Sequence, residues 1–272
     1  MTDSISFALN HIAAPRLGAA AFFALARELG LGEVEIRNDL EGVPILDGTS
    51  ATAIKAEAAA KGVGILSINA LQRFNEWTKA RETEARTLAA YARTCGAGAL
   101  VLVPVNDEAF RPGESARRAG LREALKELRP ILDAAGIRGF VEPLGFMISS
   151  LRSKREAVEA IDHIGGGEVF HLVHDTFHHH LAGEPQMFPE RTGLAHISGV
   201  TDPTLAIADM RDAHRVLVDA GDRLGNLAQI RALRRGGYAG PFSFEPFAES
   251  VQKAPDIAAQ LSASMRFIEA KA

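Results

Sequence analysis

The sequence predicts an α/β fold, a parallel (β/α)8 barrel of the TIM type with outer helices. Three observations carry the prediction. Short apolar β-type runs alternate with amphipathic, Ala/Leu/Arg/Glu-rich segments along the chain. Strand and helix recur at roughly 30-residue intervals, the period of βαβ units. Eight such units fill 272 residues, which is the arithmetic of this barrel.

Taken in order, the first run is 5–10 (ISFALN), followed by the amphipathic segment 16–29. Run 33–37 (EVEIR) alternates charged and apolar residues and leads to the Ala-rich helix 51–61. Run 64–69 (GILSIN) precedes helix 82–94. The apolar run 99–104 (ALVLVP) precedes the long amphipathic segment 114–135. Run 138–143 (RGFVEP) precedes helix 153–164. Run 169–175 (VFHLVHD) passes into a turn with three histidines and then to run 194–198 (LAHIS). Segment 227–235 leads to the last run, 242–245 (FSFE), and helix 254–269 closes the chain. The gap between the seventh and eighth runs is the longest and predicts an extended loop over the barrel mouth. A doubly wound sheet is the alternative, but no GxGxxG follows the first strand. Gly165, Gly166 and Gly167 stand before a strand and read as a turn. No Pro/Gly/Ser linker divides the chain, so residues 1–272 are expected to form one domain.

Composition narrows the function classes. Hydrophobic residues make up 47% and charged residues 24%, ordinary for a globular protein with a sizeable core. The net charge of -4 gives no basic field for nucleic acid. Arg231, Arg234 and Arg235 have the helical spacing of a solvated face. The single cysteine, Cys95, excludes an internal disulfide, reads as a small buried thiol and fits a reducing cytoplasm. The N-terminal stretch lacks the pattern of a signal peptide, and no run of about 18 apolar residues suggests a membrane span.

Four of the β-type runs close on a side chain able to ligate a metal: Glu142 in GFVEP, Asp175 in FHLVHD, His196 in LAHIS and Glu245 in PFSFEP. A single charged strand end merely meets solvent. In a parallel barrel, however, catalytic groups gather at the C-terminal strand ends on one face. Strands 5 to 8 are neighbours there, so the four residues converge. Three carboxylates and one imidazole suit one divalent ion, Mn, Mg, Co or Zn.

These motifs resemble the xylose isomerase-like superfamily of divalent-metal TIM barrels, which includes sugar isomerases and epimerases and, more distantly, apurinic endonucleases. Within it the chain is similar to 2-keto-myo-inositol (inosose) isomerases. The likeness runs through VEIRN, SINALQRFN, VLVPV, FVEPLGF, HDTFHHH, HISGVTD, AHRVLVDAGD and FSFEPF. It implies that Glu142, Asp175, His196 and Glu245 hold one divalent cation, with Mn first. It also implies that His178 and the loop residue Arg215 contact substrate oxygens. Some ketose epimerases of the group carry a glutamate and an arginine where this chain has Ile148 and Asp202, which weakens a ketohexose epimerase reading. A three-metal endonuclease site needs histidines at strands 3 and 4 and an Asp-x-His after strand 7. Here strand 3 ends at Asn69, strand 4 at Pro104, and ISGVTDPT follows His196.

The expected activity is isomerisation of a small polyhydroxy ketone by proton transfer through a metal-stabilised enediolate. Glu245 is put first as the base and Glu142 second. An epimerase or dehydratase on the same barrel is the alternative, and a ligand-binding barrel without turnover is a further rival. No lysine falls at a strand end, against a Schiff-base aldolase. Asn10 and Asn69, at the ends of strands 1 and 3, are candidates for substrate hydroxyls or for stabilising turns. Trp77 and Phe74 either wall a sugar ring or close the barrel top. His171 and His174 read as core or interface residues, and His179 and His180 as lying outside the site. Glu35 and Arg37 are expected to pair with each other inside the barrel. A homo-oligomer is compatible with all of this; nucleic-acid and membrane partners are not expected.

Overall fold

The computed structural model describes residues 5–40, 42 and 48–272. The leader reading of the N-terminus falls partly on residues 1–4, outside the described residues. Eight parallel strands close into a barrel in sequence order. They are β1 (Phe7–Asn10), β2 (Glu33–Arg37), β3 (Gly64–Gln72), β4 (Ala99–Val103), β5 (Arg138–Val141), β6 (Phe170–Asp175), β7 (Thr192–Ile197) and β8 (Phe242–Phe244). Strand β8 pairs back onto β1, with Phe7 opposite Phe242. Around the barrel lie α1 (Ala19–Glu28), α2 (Ala51–Lys61), α3 (Lys79–Cys95), α4 (Glu114–Ala135), α5 (Lys154–His163), α6 (Thr176–Ala182), α7 (Asn226–Arg235), α8 (Glu249–Gln252) and α9 (Ile257–Lys271).

Side-chain alternation along each strand divides the core in two. On β4, Leu100 and Leu102 belong to the large cluster between barrel and helices. Ala99 and Val101 instead join Ala70, Phe140, Val173 and Leu194 in a small apolar plug. The plug fills the lower barrel, and the polar residues one or two pleats further along the strands form the layer above it. That is why both sides of a strand such as β8 are buried although its sequence alternates: Phe242 and Phe244 face the helices, Ser243 the interior.

Helix starts follow capping chemistry. Ser50, Thr78 and Ser153 each accept a hydrogen bond from the backbone N–H three residues on. Two expectations are corrected. The histidine turn after β6 is the helix α6, started by Asp175, whose side chain caps the His178 N–H at 2.9 Å. Strand β3 runs past Asn69 to Gln72, with its register against β4 shifting between Ile68 and Leu71.

The long segment from β7 to β8 rises over the mouth before α7 begins. It is tied down by a short antiparallel bridge between Gly199 and Val216. The carbonyl of Arg215 accepts from the N–H groups of Phe247 and Ala248, just past β8. Among the described residues no helix is long and apolar enough to cross a membrane.

Candidate metal centre

The inward pleats of seven strands, all but β4, supply the polar layer. From β1 and β2 come Asn10, Glu35 and Arg37, and from β3 come Ser67 and Asn69. Glu142 follows β5 directly, Asp175 ends β6, His196 lies one residue before the end of β7, and Ser243 and Glu245 lie on and just past β8. All are buried. One ligand atom each from Glu142, Asp175, His196 and Glu245 lie within 4.8 Å of one another. The four strand-end residues are therefore brought together at one point, from four adjacent strands.

His196 stands at the middle of this group. Its Nδ1 is 3.1 Å from Glu142 Oε1, 3.2 Å from Glu245 Oε2 and 3.9 Å from Asp175 Oδ2. On the opposite edge of the ring, Nε2 is 3.1 Å from Glu35 Oε1. Burial works against charge on the imidazole, but Glu245, Glu35 and Glu142 outweigh it and push His196 well above its ordinary range. A cluster that draws a proton so strongly draws any cation.

Two guanidinium groups complete the charge pattern. Arg37 donates to Glu245 Oε1 at 3.0 Å and reaches Asp39 through two more hydrogen bonds. Arg215 donates to Asp175 Oδ2 at 2.6 Å, to Glu245 Oε2 at 2.9 Å, to Ser198 and to Asp212. Its guanidinium also lies 5.1 Å from the ring centroid of Phe177 and 4.6 Å from that of Phe247, a cation–π arrangement that fixes its orientation. Four buried carboxylates (Glu35, Glu142, Asp175, Glu245) thus face two buried arginines (Arg37, Arg215). The net −2 of these six groups is what one divalent cation neutralises, and buried charge demands such compensation. The oxygen-rich donor set with one imidazole fits such an ion.

The expected pairing of Glu35 with Arg37 is corrected. Both point inward, as residues two apart on a strand must, but Arg37 binds Asp39 and Glu245 while Glu35 binds across the barrel to His196. Burial alone would raise Glu35; the His196 charge and hydrogen bonds lower it instead. The two outer glutamates differ in the same way. Burial raises Glu142. For Glu245 burial is outweighed by His196, Arg215 and Arg37, which hold it well below the usual carboxylate range.

The remaining candidate residues are distributed as follows. His178 is buried with its Nδ1 unpartnered, edge-on to Phe146 and Phe177. Asn10 donates its amide to Glu245, and its carbonyl accepts from the Ile12 N–H, capping the 3-10 turn His11–Ala13. Asn69 donates to Glu35 at 2.7 Å and to Ser67. Trp77 is half-buried against the main core, and Phe74 is wholly inside it. His171 sits edge-on to Phe140. His174 points outward to Gln229 Oε1 at 2.8 Å, and His179 Nδ1 lies 2.9 Å from the Nζ of Lys154. A cavity of ≈ 680 Å³ opens at the mouth, lined in part by Phe146, Met147, Ile148, Ile207 and Asp212. It borders the centre through the Phe146 contact to His178 and the Asp212 contact to Arg215.

Sequence reasoning missed Glu35, Ser67 and Ser243 as partners of the centre, and the buried Lys154. The signal for the first three was period-2 polarity inside apolar strands. For Lys154 there was none, because it lies past β5 at the start of α5.

The family described as xylose isomerase-like TIM barrel matches residues 23–271. The structure is similar to that of a xylose isomerase domain containing protein from Salmonella typhimurium, with 32% identity, a TM-score of 0.87, and coverage of 97% of this chain and 96% of that one. It is also similar to the IOLI protein with a bound zinc atom, at 20% identity, TM-score 0.84 and coverage of 97% and 96%. D-psicose 3-epimerase with D-tagatose, from Clostridium cellulolyticum H10, aligns at 14% identity and TM-score 0.74 over 98% and 99% of the two chains. The last two likenesses concern the fold. No curated protein matches the chain.

Proposed function

We propose that this chain, which belongs to the xylose isomerase-like TIM barrels, is a divalent-metal-dependent isomerase or epimerase of a small polyhydroxy ketone. The observation that carries this reading is the convergence of Glu142, Asp175, His196 and Glu245 within 4.8 Å in a buried layer at the barrel mouth. The first substrate to test is 2-keto-myo-inositol, supported by the motif resemblance and by the fold shared with the zinc-bound IOLI protein. Mn is the ion to load first, since three carboxylates and one imidazole suit it well. The single buried cysteine accords with a cytoplasmic setting.

When bound, the ion supplies Lewis-acid polarisation of a substrate carbonyl and its neighbouring hydroxyl. The chain's own groups do the rest. Isomerisation removes the proton from the hydroxyl-bearing carbon beside the carbonyl and returns one to the former carbonyl carbon, while the hydroxyl proton passes to the former carbonyl oxygen, with no net change in atoms. The carboxylate that carries the proton between carbons needs a free lone pair. Glu245 accepts from Asn10, Arg37 and Arg215, whereas the Glu142 carboxylate, among the described residues, shares a hydrogen bond only with His196. This distribution favours Glu142 as the principal base, with Glu245 chiefly a ligand. The unpartnered Nδ1 of the buried His178 ring supports a role for it in holding a substrate oxygen. Arg215, fixed between two phenyl rings, orients Asp175 and Glu245.

The test is proton NMR of the Mn-loaded protein with 2-keto-myo-inositol in D2O, beside Glu142→Gln and Glu245→Gln. Deuterium next to the carbonyl together with a new ketone isomer, lost in Glu142→Gln, is the expected result. Inversion at that carbon without carbonyl movement would make it an epimerase, and an enone or diketone a dehydratase. No exchange by metal-loaded protein would overturn the inosose assignment.

A further inference from the structure

The imidazole of His196 has two nitrogens, and only one can face an ion. A neutral imidazole carries its proton on one nitrogen and offers a lone pair on the other, so whatever binds the far edge decides which nitrogen is the ligand. Here the far edge, Nε2, meets both oxygens of Glu35 at 3.1 and 3.2 Å.

Glu35 is fully buried, and it comes from β2, on the side of the barrel away from the four ligands. Its remaining lone pairs are taken by donors from two other strands. Ser67 Oγ and Asn69 Nδ2 each donate to Oε2 at 2.7 Å, and Ser243 Oγ donates to Oε1. A carboxylate held by three protein donors from β3 and β8 is an acceptor only. It can tolerate His196 only as a fourth donor, so Nε2 must carry the hydrogen. In the neutral ring the lone pair is then left on Nδ1, the atom that faces Glu142, Glu245 and Asp175.

We propose that Glu35, buttressed by Ser67, Asn69 and Ser243, is the positioning residue of the centre: it fixes the His196 tautomer and ring angle so that Nδ1 is the ligand atom. The inference rests on the reading of the cluster as a divalent-metal site and adds a residue that is not itself a ligand. It also gives Asn69 a defined part, as a donor that locks Glu35. Such outer partners of a ligating histidine govern affinity, because an imidazole free to flip or rotate pays for its ordering each time an ion binds.

The test compares wild type, Glu35→Gln and Glu35→Asp by calorimetric titration with Mn and with Zn. The Zn-loaded proteins are followed by two-bond proton–nitrogen NMR of the histidine rings, which distinguishes a metal-bound Nδ1 from a protonated one. Glutamine keeps the shape but replaces one of the two acceptor oxygens by an NH2 donor, so His196 Nε2–H or the Ser and Asn donors lose an acceptor. About 10- to 100-fold weaker binding is expected, with the wild-type Nδ1-bound, Nε2–H pattern lost and the metal-free melting temperature not reduced. Glu35→Asp, which keeps the acceptor, should recover part of the affinity. Equal affinity and an unchanged ring pattern in Glu35→Gln would overturn the proposal while leaving the metal site standing. Failure of the wild type to bind either ion would instead overturn the metal reading itself. If Glu35→Gln does not fold, Ser243→Ala takes its place: weaker Mn binding at unchanged melting temperature supports the proposal, and unchanged affinity counts against it.

Discussion

Arg37 donates to Oε1 of Glu245 at 3.0 Å from the opposite side of the β8–β1 seam. With Arg215 on Oε2 at 2.9 Å, the carboxylate is held between two cations. Removing one partner of a buried ion pair leaves the other uncompensated, at a cost of about 3–5 kcal/mol. Arg37→Met is therefore expected to lower the urea-unfolding free energy of the metal-free protein by about that amount. With saturating Mn the deficit should shrink, since the ion restores positive charge at the same point. A variant as stable as wild type in chelator would contradict this account of the centre.

Arg215→Lys preserves charge but not the planar fork that reaches Asp175 and Glu245 while lying between Phe177 and Phe247. A point ammonium cannot satisfy both contacts and the stacking at once. Loss of about 100-fold in kcat/KM is expected, the scale of a misplaced group in an ordered site. Steady-state kinetics on any turned-over ketose decides it, and wild-type values in the variant would refute the orienting role.

Lys154 and His179 set a pH dependence of stability away from the metal. Burial lowers Lys154 from 10.5 to about 8, and burial together with Lys154 lowers His179 from 6.5 to about 3. Both native values lie below their unfolded ones, so the unfolded chain binds more protons in each window and stability rises with pH there. The His179 contribution is fully present above pH 6.5 and is lost as the pH falls towards 3. The penalty of the buried ammonium is complete below pH 8 and fades between 8 and 10.5. Lys154→Met should thus gain stability at pH 7, by about 3 kcal/mol, with most of the gain lost by pH 10. Denaturation at pH 7 and pH 10 checks it, and a gain independent of pH would rule out the ammonium as its source.

Gly145 lies where a Cβ would come 2.4 Å from the His178 carbonyl oxygen and 2.6 Å from Leu181 Cβ. The loop after β5 therefore touches α6 backbone to backbone. Gly145→Ala must push that loop or the helix bearing His178, with an overpacking cost of about 1–3 kcal/mol. Because Asp175 caps the turn that carries His178, a shift of α6 should raise KM and weaken Mn binding together. An unaltered KM with unaltered Mn affinity would show that the loop after β5, not α6, takes up the added methyl.

The strand order and the ligand set were readable because both obey short periods. Apolar runs at regular spacing predicted the barrel, and a polar residue closing each of four neighbouring runs marked the centre. What escaped depended on closure in three dimensions. Glu35 and Arg37 share a face of β2, which suggested a pair, but only the closed barrel places His196 across from one and Glu245 across from the other. Three histidines and a phenylalanine are weak helix formers, so the sequence shows a turn where the Asp175 cap starts α6. Lys154 could not be foreseen, since its burial depends on how α5 and α6 meet.

Asp175 divides its two oxygens between two tasks. Oδ1 receives the His178 N–H that starts α6, and Oδ2 faces Arg215 and the ligand cluster. One side chain therefore writes both the address of the ion and the first turn of the helix that presents His178. An asparagine at this position could keep the helix start yet forfeit a ligand charge, whereas alanine would erase both. Metal capture and the aim of the substrate-facing histidine are inherited together at this position, which leaves mutation little room to retune one without disturbing the other.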